Sequence, residues 1–436
     1  MGTSEATSRR AFLNRAATFA AGASTALSYT RIRGANDRIS LGHIGIGHRG
    51  GGLAFIASRL KDSHNVEMTA VCDLWKVNRE KAAAKARDAY GRDPRAFQHL
   101  DDLLALKDVD AVIISTGDFQ HAPLLKLAVE AGKDVYCEKP FANVLEEAKA
   151  ARDAVLKSDA IVQIGTQHRS EPYQIATRRL MEQGVPGEVS KYEIVWNYHG
   201  PRWRGRPEVK QIREEDTDWR RWLLSKPYRP FDPRAYFEFR LYRDFSSGIA
   251  DQWMSHGIDL AHYFMDESFP RSMVAHGGVF AWHDGRENPD TFHALAEYPK
   301  GFLVSFATSF GNDCDSFTRI MGKKATLVNI GGEGSPRWKV VEEKGNYEDN
   351  PYVKREEHYV TLPDNDKVPP TYISDNVLYH MTNWFECLRS RKQPNATVRH
   401  GYSHAVAVIM AARAYREGRK LWWDPASETI VDHPPA

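Results

Sequence analysis

The stretch "ISLGHIGIGHRGGGLAFIASRL", residues 39–60, decides the fold of this chain. Its first part, ISLGHIGIG, is an apolar run typical of a buried β-strand that ends in a glycine-rich turn. The part GGLAFIASRL that follows is typical of a helix. A strand, a tight turn and a helix in direct succession predict the opening unit of a parallel sheet wound by crossover helices.

The turn contains Gly45, Gly47 and Gly50 in the spacing G-x-G-x-x-G, with His48 and Arg49 between the last two. At this spacing the first glycine permits a tight turn, and the second lets the backbone approach a pyrophosphate. The third lets the helix and strand pack closely. The helix N-terminus adds unpaired N–H groups and a favourable dipole. We therefore predict a dinucleotide site bordered by these five residues.

The second strand, VEMTAVCD, ends at Asp73, 23 residues after Gly50. An acidic residue at this place binds the ribose 2′-hydroxyl of a dinucleotide. Because a carboxylate repels a 2′-phosphate, Asp73 favours NAD. Lys76 and Arg79 follow closely and leave NADP open, unless they only form a solvated helix face.

Strands and helices of 10 to 15 residues go on alternating as far as residue 168, which predicts a Rossmann domain over residues 36–168. From residue 169 to 436 we predict a second α/β domain with a large, mostly antiparallel open sheet. Its clearest hairpin turns at Pro299–Gly301. Two C-terminal helices are long enough to pack back on either domain. The polar, proline-rich stretch 345–375 is interpreted as a surface loop.

Composition and charge exclude some classes of protein. The 436 residues are 42% apolar and 27% charged, as in ordinary globular proteins, and the net charge is +2. The sequence has no block of Lys and Arg that would indicate nucleic-acid binding. No run of 18 apolar residues predicts a permanent membrane span.

The N-terminus has the form of an export signal. SRRAFL, residues 8–13, is a twin-arginine sequence, and an Ala-rich apolar run follows it. We predict a signal over residues 1–35 that sends the folded protein to the periplasm or otherwise out of the cytoplasm. The alternative is a disordered tail that happens to contain two arginines.

Two more strand ends carry chemically useful residues. Glu138, Lys139 and Pro140 directly follow the strand DVYC, and ligands of open parallel sheets bind beyond the carboxyl ends of the strands. Lys139 either projects towards the cofactor or is a surface lysine at a turn. His121, at another strand-to-helix junction, is predicted to line the cofactor cleft.

Four segments, GIGHRG, VCD, GDFQHAPLLKLAVEAGKDVYCEKP and GTQHRS, resemble the glucose–fructose oxidoreductase and inositol dehydrogenase family, called Gfo/Idh/MocA. The resemblance extends over essentially the whole chain after the signal. It implies a Rossmann domain, a second α/β domain whose open sheet commonly mediates dimerisation, and hence a homo-oligomer, dimer or tetramer. It also implies that Lys139 lies near the nicotinamide and the reacting hydroxyl, with Glu138 supporting it.

The family's second catalytic element is an Asp four residues before a His, with another Asp three residues after it. In GIADQWMSHGIDLAHYF, His256 and Asp259 match, but Gln252 stands four residues before His256 and Asp251 stands five before it. On a regular helix Gln252 shares a face with His256, and Asp251 lies about 140° away. Either a local bulge returns Asp251 to the site, or Gln252 replaces the carboxylate.

His256 is predicted to be the base, because an imidazole titrates near pH 6.5 and can accept an alcohol proton. A nearby lysine would keep it neutral. The alternative is a core histidine paired with Asp259. His262 is six residues from His256 and off the shared face, so we predict no metal.

Further polar and aromatic residues are predicted to shape a sugar pocket, since aromatic rings stack on sugar C–H faces and Arg and His bind hydroxyls. These residues are His168, Arg169, Tyr198, His199 and Asp259. The segment NYHGPRWRGRP around Tyr198 is alternatively a surface loop or an arm for a partner.

Folded export suits a protein that must take up a cytoplasmic cofactor before it leaves. We therefore predict an oxidoreductase that acts on a sugar and recycles a tightly bound NAD, or NADP, on the protein. The first alternative is an NAD-dependent glycoside hydrolase that uses transient oxidation, elimination, water addition and re-reduction. A second alternative is a sugar sensor that holds a cofactor without turnover.

Overall fold

The computed structural model describes residues 37–330, 338–343, 356–360 and 373–435. The predicted signal, residues 1–35, lies outside these ranges, as does most of the stretch 345–375. Within that stretch Glu357–Tyr359 forms a strand that pairs with Trp338–Glu342. The prediction of a loop is therefore wrong at that point.

A six-stranded parallel sheet forms the first half of the described chain. Its strands are β1 (Ile39–Ile44), β2 (Val66–Cys72), β3 (Arg95–Phe97), β4 (Ala111–Ile114), β5 (Asp134–Cys137) and β6 (Val162–Ile164). They lie in the order β3-β2-β1-β4-β5-β6, and all pairs are parallel. From β1 the chain first adds β2 and β3 on one side, and it then crosses to the other side of the sheet at β4. Ligands of such sheets bind beyond the strand ends at this switch point between β1 and β4.

Helices cover this sheet, and the first of them begins directly after the glycine turn. They are α1 (His48–Arg59), α2 (Lys61–His64), α3 (Lys76–Tyr90), α4 (Leu100–Leu104), α5 (His121–Glu130) and α6 (Leu145–Leu156). In α1 the apolar residues Leu53 and Ile56 are buried on the sheet, as the helical spacing of the opening stretch predicts.

A mixed, mostly antiparallel sheet forms the second half. Its ten strands within the described residues are β7 (Val189–Val195), β9 (Ser272–Gly278), β10 (Thr291–Tyr298), β11 (Phe302–Ser309), β13 (Phe317–Gly322), β14 (Ala325–Asn329), β15 (Trp338–Glu342), β16 (Glu357–Tyr359), β17 (Leu421–Asp424) and β18 (Thr429–Val431). Only β7 and β11 pair in parallel. Tyr298 pairs with Phe302 across the turn at Pro299–Gly301, which confirms the predicted hairpin. A separate ribbon joins β8 (Tyr198–His199) to β12 (Gly311–Asn312).

The remaining helices join the two halves. They are α7 (Pro172–Glu182), α8 (Trp219–Leu223), α9 (Pro233–Phe237), α10 (Ser255–Met265), α11 (Ile373–Ser390) and α12 (Val398–Glu417). Trp384 and Phe385 of α11 are fully buried in one cluster with Leu53 and Ile56, so α11 packs on the parallel sheet. Helix α12 packs against both α6 and β9. No helix among the described residues is long and apolar enough to cross a membrane.

Candidate active site

The glycine turn has the shape that a dinucleotide requires. Gly45 has φ +79°, and a Cβ there would meet the backbone of Thr116 at 3.0 Å. A Cβ on Gly50 would lie 2.4 Å from the Gly45 carbonyl oxygen. A Cβ on Gly47 would meet nothing within 4 Å, so this backbone borders open space. The turn therefore packs tightly at its first and third glycines and leaves room at the second, as binding of a pyrophosphate demands.

Asp73 is held firmly at the end of β2. Its carboxylate accepts the main-chain N–H groups of Ile46, at 2.7 Å, and Trp75, at 2.9 Å. Burial raises the pKa of Asp73 to about 6 against the effect of these bonds. Arg79 Nη1 donates to the Asp73 carbonyl oxygen at 2.7 Å, and Lys76 Nζ lies 3.9 Å from Glu80 Oε1. Arg79 is thus held by the main chain, whereas Lys76 is exposed and only loosely paired; the buried Asp73 at the strand end is what favours NAD.

A cleft runs from Asp73 past the glycine turn and holds about 1370 Å³, its open mouth included. The cleft follows the carboxyl ends of β1, β2 and β4, where a parallel sheet of this kind binds a dinucleotide. Of the five residues predicted to border a dinucleotide site, Gly45, Gly47, His48 and Arg49 line this cleft and Gly50 does not.

The second half of the chain covers this cleft, which sequence reasoning missed. We call the covering residues the cleft roof: Arg206, Glu208, Arg221, Trp222, Leu224, Tyr236, Phe237, Phe239 and Arg240. They come from the irregular Arg-, Trp- and Tyr-rich stretch, whose lack of periodicity gives no indication of what it packs against.

Glu138 supports the turn that carries Lys139. One carboxylate oxygen accepts from Arg49 Nε at 2.7 Å, and the other accepts the Lys139 N–H at 3.2 Å. A Cβ on Gly165 would lie 2.9 Å from the Glu138 carboxyl carbon, so only glycine allows this packing. His121 is buried, and its Nδ1 lies 2.7 Å from the Pro140 carbonyl oxygen. The structure therefore places His121 beneath this turn and not on the cleft wall.

Lys139 reaches across to the second half of the chain. Its Nζ donates to the main-chain oxygen of Gln252 at 2.6 Å and to the Gln252 Oε1 at 3.3 Å. Burial, together with the nearby Arg240 and Arg49, lowers the pKa of Lys139 to about 8, although Glu138 opposes the shift. A substantial fraction of this lysine is therefore uncharged in mildly alkaline solution.

The helix before His256 is not regular, and a local bulge was one of the two alternatives that the sequence left open. Residues Ala250–Met254 form a π-helical turn, in which the N–H of Ser255 bonds to the Ala250 carbonyl five residues back. Such a turn accommodates one extra residue, and it is common at functional sites. The bulge thus exists, but it presents Gln252 to Lys139. Asp251 instead accepts from the Ser247 N–H, and Ser246 Oγ lies 3.3 Å from its carboxylate.

Asp118 connects these groups, and sequence reasoning missed it. Its carboxylate accepts from Gln252 Nε2 at 2.8 Å, from Ser246 Oγ at 2.6 Å and from Arg240 Nη2 at 3.2 Å. Burial and the charge of Asp118 raise the pKa of Asp251 to about 7. Asp118 lies just beyond β4, so the strand-end argument that selected Lys139 was sufficient to find it.

His256 and His168 pack with their rings at 73° and their centroids 4.8 Å apart. Burial and the charges of Lys139 and His168 lower the pKa of His256 well below its usual value. Burial also opposes the protonation of His168, but its ion pair with Glu171 outweighs burial and raises its pKa. His256 Nδ1 is buried without a hydrogen-bond partner among the described residues.

The other predicted pocket residues separate into three places. Arg169 and Asp259 are buried and form an ion pair of 2.7 Å, so they face each other and not a ligand. Tyr198 packs edge-on against Trp253, which stacks on Trp196 at 5.0 Å beside the His256 ring. His199 is exposed on the ribbon next to Trp282.

The fold and these contacts define a two-domain dinucleotide-binding protein with a lysine and a histidine near the cofactor cleft. Residues 39–166 match the family model for the oxidoreductase family with an NAD-binding Rossmann fold, and residues 224–422 match that family's C-terminal α/β domain. The chain belongs to the Gfo/Idh/MocA family.

Curated relatives carry two kinds of name. A "Glycosyl hydrolase family 109 protein 2" of Shewanella sp. (strain ANA-3) is 31% identical over 189 residues, 42% of this chain and 40% of that protein. An "Inositol 2-dehydrogenase" of Rhizobium meliloti (strain 1021) is 30% identical over 138 residues, 32% of this chain and 40% of that protein. The matched part of the chain thus spans about two fifths of the length of these relatives.

Solved structures share the fold. A levoglucosan dehydrogenase in complex with NADH superposes with a TM-score of 0.66 at 17% identity, and the match covers 92% of this chain and all of that one. WlbA dehydrogenase from Bordetella pertussis, in complex with NADH and UDP-GlcNAcA, gives 0.63 at 19% identity over 89% of this chain and 99% of that one. At these identities the likeness concerns the fold alone.

The Arg169–Asp259 pair generates a prediction about stability. Burial opposes ionisation of Asp259, but Arg169 and His404 outweigh it and hold the pKa of Asp259 well below its usual value. Arg169→Met leaves a buried carboxylate without its main counter-charge, so we expect the free energy of unfolding to fall by about 3–5 kcal/mol at pH 7. The difference in the free energy of unfolding between wild type and variant should shrink as the pH falls towards 4, since protonation of Asp259 removes the unpaired charge in the variant.

Urea denaturation of both proteins between pH 4 and 8 measures this effect. Arg178→Met is the matched control, because Arg178 also lies over the Tyr263 ring but pairs with the exposed Glu182. We expect the control to cost less than about 1 kcal/mol. Equal losses in the two variants, or a deficit at Arg169 that does not depend on pH, would contradict the assignment.

Proposed function

We propose that this protein is an NAD-dependent oxidoreductase that acts on a sugar hydroxyl. The observation that carries the proposal is the position of Lys139 at a strand end near the cofactor cleft, with its pKa lowered to about 8 and an uncharged imidazole at His256. A general base works best when its pKa lies near the working pH. This favours Lys139 as the base, a role that the sequence had led us to predict for His256.

The hydrogen bonds of Lys139 support that role. An uncharged amine has two N–H groups and one lone pair. Lys139 Nζ donates to both oxygens of Gln252, which leaves the lone pair free to accept the hydroxyl proton of a sugar. His256 Nδ1, unpartnered among the described residues, binds and orients the same hydroxyl. Bound NAD⁺ would supply the hydride acceptor at C4 of its nicotinamide.

Gln252 has a positioning role in this scheme. Its amide cannot take up a proton, but it aligns Lys139 and is itself held by Asp118. A neutral amide also stabilises the ammonium form less than a carboxylate would, which keeps the pKa of Lys139 low. The replacement of the family's Asp by Gln252 therefore suits a lysine base.

The aromatic wall beside His256 supports a sugar as the substrate. Trp196 and Trp253 stack nearly parallel, at 8°, and Tyr198 closes the wall edge-on. Flat apolar faces of this kind complement the C–H faces of a pyranose, while histidines bind its hydroxyls.

We further propose that the NAD stays bound and is recycled on the protein, and that the folded holoprotein is exported through the twin-arginine pathway. SRRAFL supports export of a folded chain. A homo-oligomer through the open face of the large sheet is supported by the exposed apolar residues Val274, Leu295 and Leu303 on adjacent strands.

A glycoside hydrolase with transient oxidation is the second candidate. The relatives named for glycosyl hydrolase family 109 favour it. Oxidation of the sugar hydroxyl would allow elimination of the glycosidic leaving group, water would then add in its place, and the hydride would return, so the net reaction would be hydrolysis. Lys139 would take the hydroxyl proton in the oxidation step and return it in the re-reduction step.

Bound nucleotide and turnover test the proposal together. We expect the denatured protein to release NAD(H) near one equivalent, and the native protein to oxidise a sugar with an added carbonyl acceptor. Lys139→Met should lower kcat about 100-fold or more and leave the nucleotide in place. Lys126→Met is the control, because the half-buried Lys126 forms an ion pair with the exposed Glu130 and does not line the cleft. Hydrolysis of a nitrophenyl glycoside without acceptor would favour the second candidate, and absence of nucleotide would refute both.

The pH dependence distinguishes a lysine base from a lysine cation. If uncharged Lys139 accepts the proton, kcat/KM for sugar oxidation rises with pH, levels off above about pH 8, and shows no step near pH 6.5 from His256. Lys139→Arg stays protonated and should be as inactive as Lys139→Met. A rate that falls above pH 8, or an active arginine variant, would return the base role to His256.

Gln252→Glu tests the positioning role. A carboxylate beside Nζ favours the ammonium form, so the pKa of Lys139 should rise by about 1–3 units and the rising limb of kcat/KM should move to higher pH by the same amount. Far above that limb the activity should recover towards the wild-type value. A loss of activity at every pH without movement of the limb would show that Gln252 acts only on the structure.

A further inference from the structure

The cleft roof carries two arginines with incomplete pairing. Arg240 donates to Asp118 through Nη2, but its Nε is buried without a hydrogen-bond partner among the described residues. Arg206 lines the same cleft, and no hydrogen bond or ion pair joins its guanidinium to any described residue. The chemistry proposed above leaves Arg206 without a role.

The charges around Arg206 favour an anion. Burial and the neighbouring Arg240 lower the pKa of Arg206, and Glu208 only partly opposes them. Glu238, the other carboxylate within electrostatic reach, is already bound by Arg204 and Arg234. Two guanidinium groups that are close together and partly shielded from water gain from a shared anion, and their planar forks match phosphate oxygens.

The roof is fastened to the first half of the chain. The Trp222 carbonyl accepts from Gln120 Nε2 at 2.6 Å, and the Trp222 ring packs on Phe119 at 5.0 Å. At the other end Phe237 packs edge-on against Trp75, also at 5.0 Å. These buried contacts hold the roof over the cleft.

We propose that Arg206, with Arg240 beside it, binds the pyrophosphate of the dinucleotide from the roof and thereby retains it. The inference rests on the proposed NAD-dependent function. Arg206 lines the same cleft as Asp73 and the glycine turn, whereas Lys139 and His256 do not line it, which favours the pyrophosphate over the substrate as the anion. The glycine turn forms the other side of the cleft. There the N–H groups at the start of α1 would contact the same phosphates.

Nucleotide affinity tests the proposal without any turnover. The purified full chain, freed of resident nucleotide by charcoal treatment, is titrated calorimetrically with NAD⁺, with ADP-ribose and with adenosine. We expect Arg206→Gln to weaken NAD⁺ and ADP-ribose about 10- to 100-fold, since both contain the pyrophosphate, and to leave adenosine unchanged. Bound NAD⁺ should also leave the variant faster during gel filtration.

Arg213→Gln is the matched control, because Arg213 belongs to the same irregular stretch but is 74% exposed and lies outside the cleft. It should bind all three ligands as the wild type does. Unchanged NAD⁺ affinity in Arg206→Gln, with or without a raised KM for an acidic sugar, would overturn the inference. An equal loss for adenosine would also overturn it, since the roof would then be distorted. If the wild type bound neither NAD⁺ nor ADP-ribose, the proposed function itself would fail.

Discussion

The hydrogen bond from Lys139 Nζ to the Gln252 carbonyl, 2.6 Å long, crosses from the parallel sheet to the second half of the chain. It requires a strand that ends at Cys137 and a turn supported by Glu138. It also requires the π-helical turn before α10, which presents Gln252 to the lysine. Burial of the amine lowers its pKa, and the two Gln252 oxygens fix its direction. The base role that we propose for Lys139 depends on its burial at this crossing, since a solvated lysine at the same turn would remain an ammonium ion.

The buried charges around that contact are arranged so that few remain unpaired. Arg169 neutralises Asp259, Arg49 binds Glu138, and Asp118 collects three donors. Such pairing is necessary because an isolated charge in a poorly solvated site costs several kcal/mol, on the order of the whole margin of stability. The groups left over are uncharged or only partly paired, and they are the ones to which we assign function: Lys139, His256 and Arg206.

The sequence was sufficient to predict the parallel sheet, the glycine turn, Asp73 and Lys139, because each is a local pattern at the carboxyl end of a strand. It was also sufficient to show that Asp251 and Gln252 are out of register with the family. It was not sufficient to choose between them, since the local bulge that it left open, a π-helical turn, depends on what packs around it. Arg169 and Asp259 were predicted to contact substrate, yet they pair with each other across 90 residues of sequence.

The chain by itself thus determined the fold class, the cofactor type and the residue that reaches the site from the first sheet, because hydrophobic period, glycine spacing and strand ends act over a few residues. Only the tertiary structure decided which side chain meets Lys139, that Asp118 joins the network, and that residues 206–240 cover the cofactor cleft. Those outcomes depend on side chains more than 100 residues apart, whose pKa values and partners are set by burial and proximity. No local pattern in the sequence records that proximity.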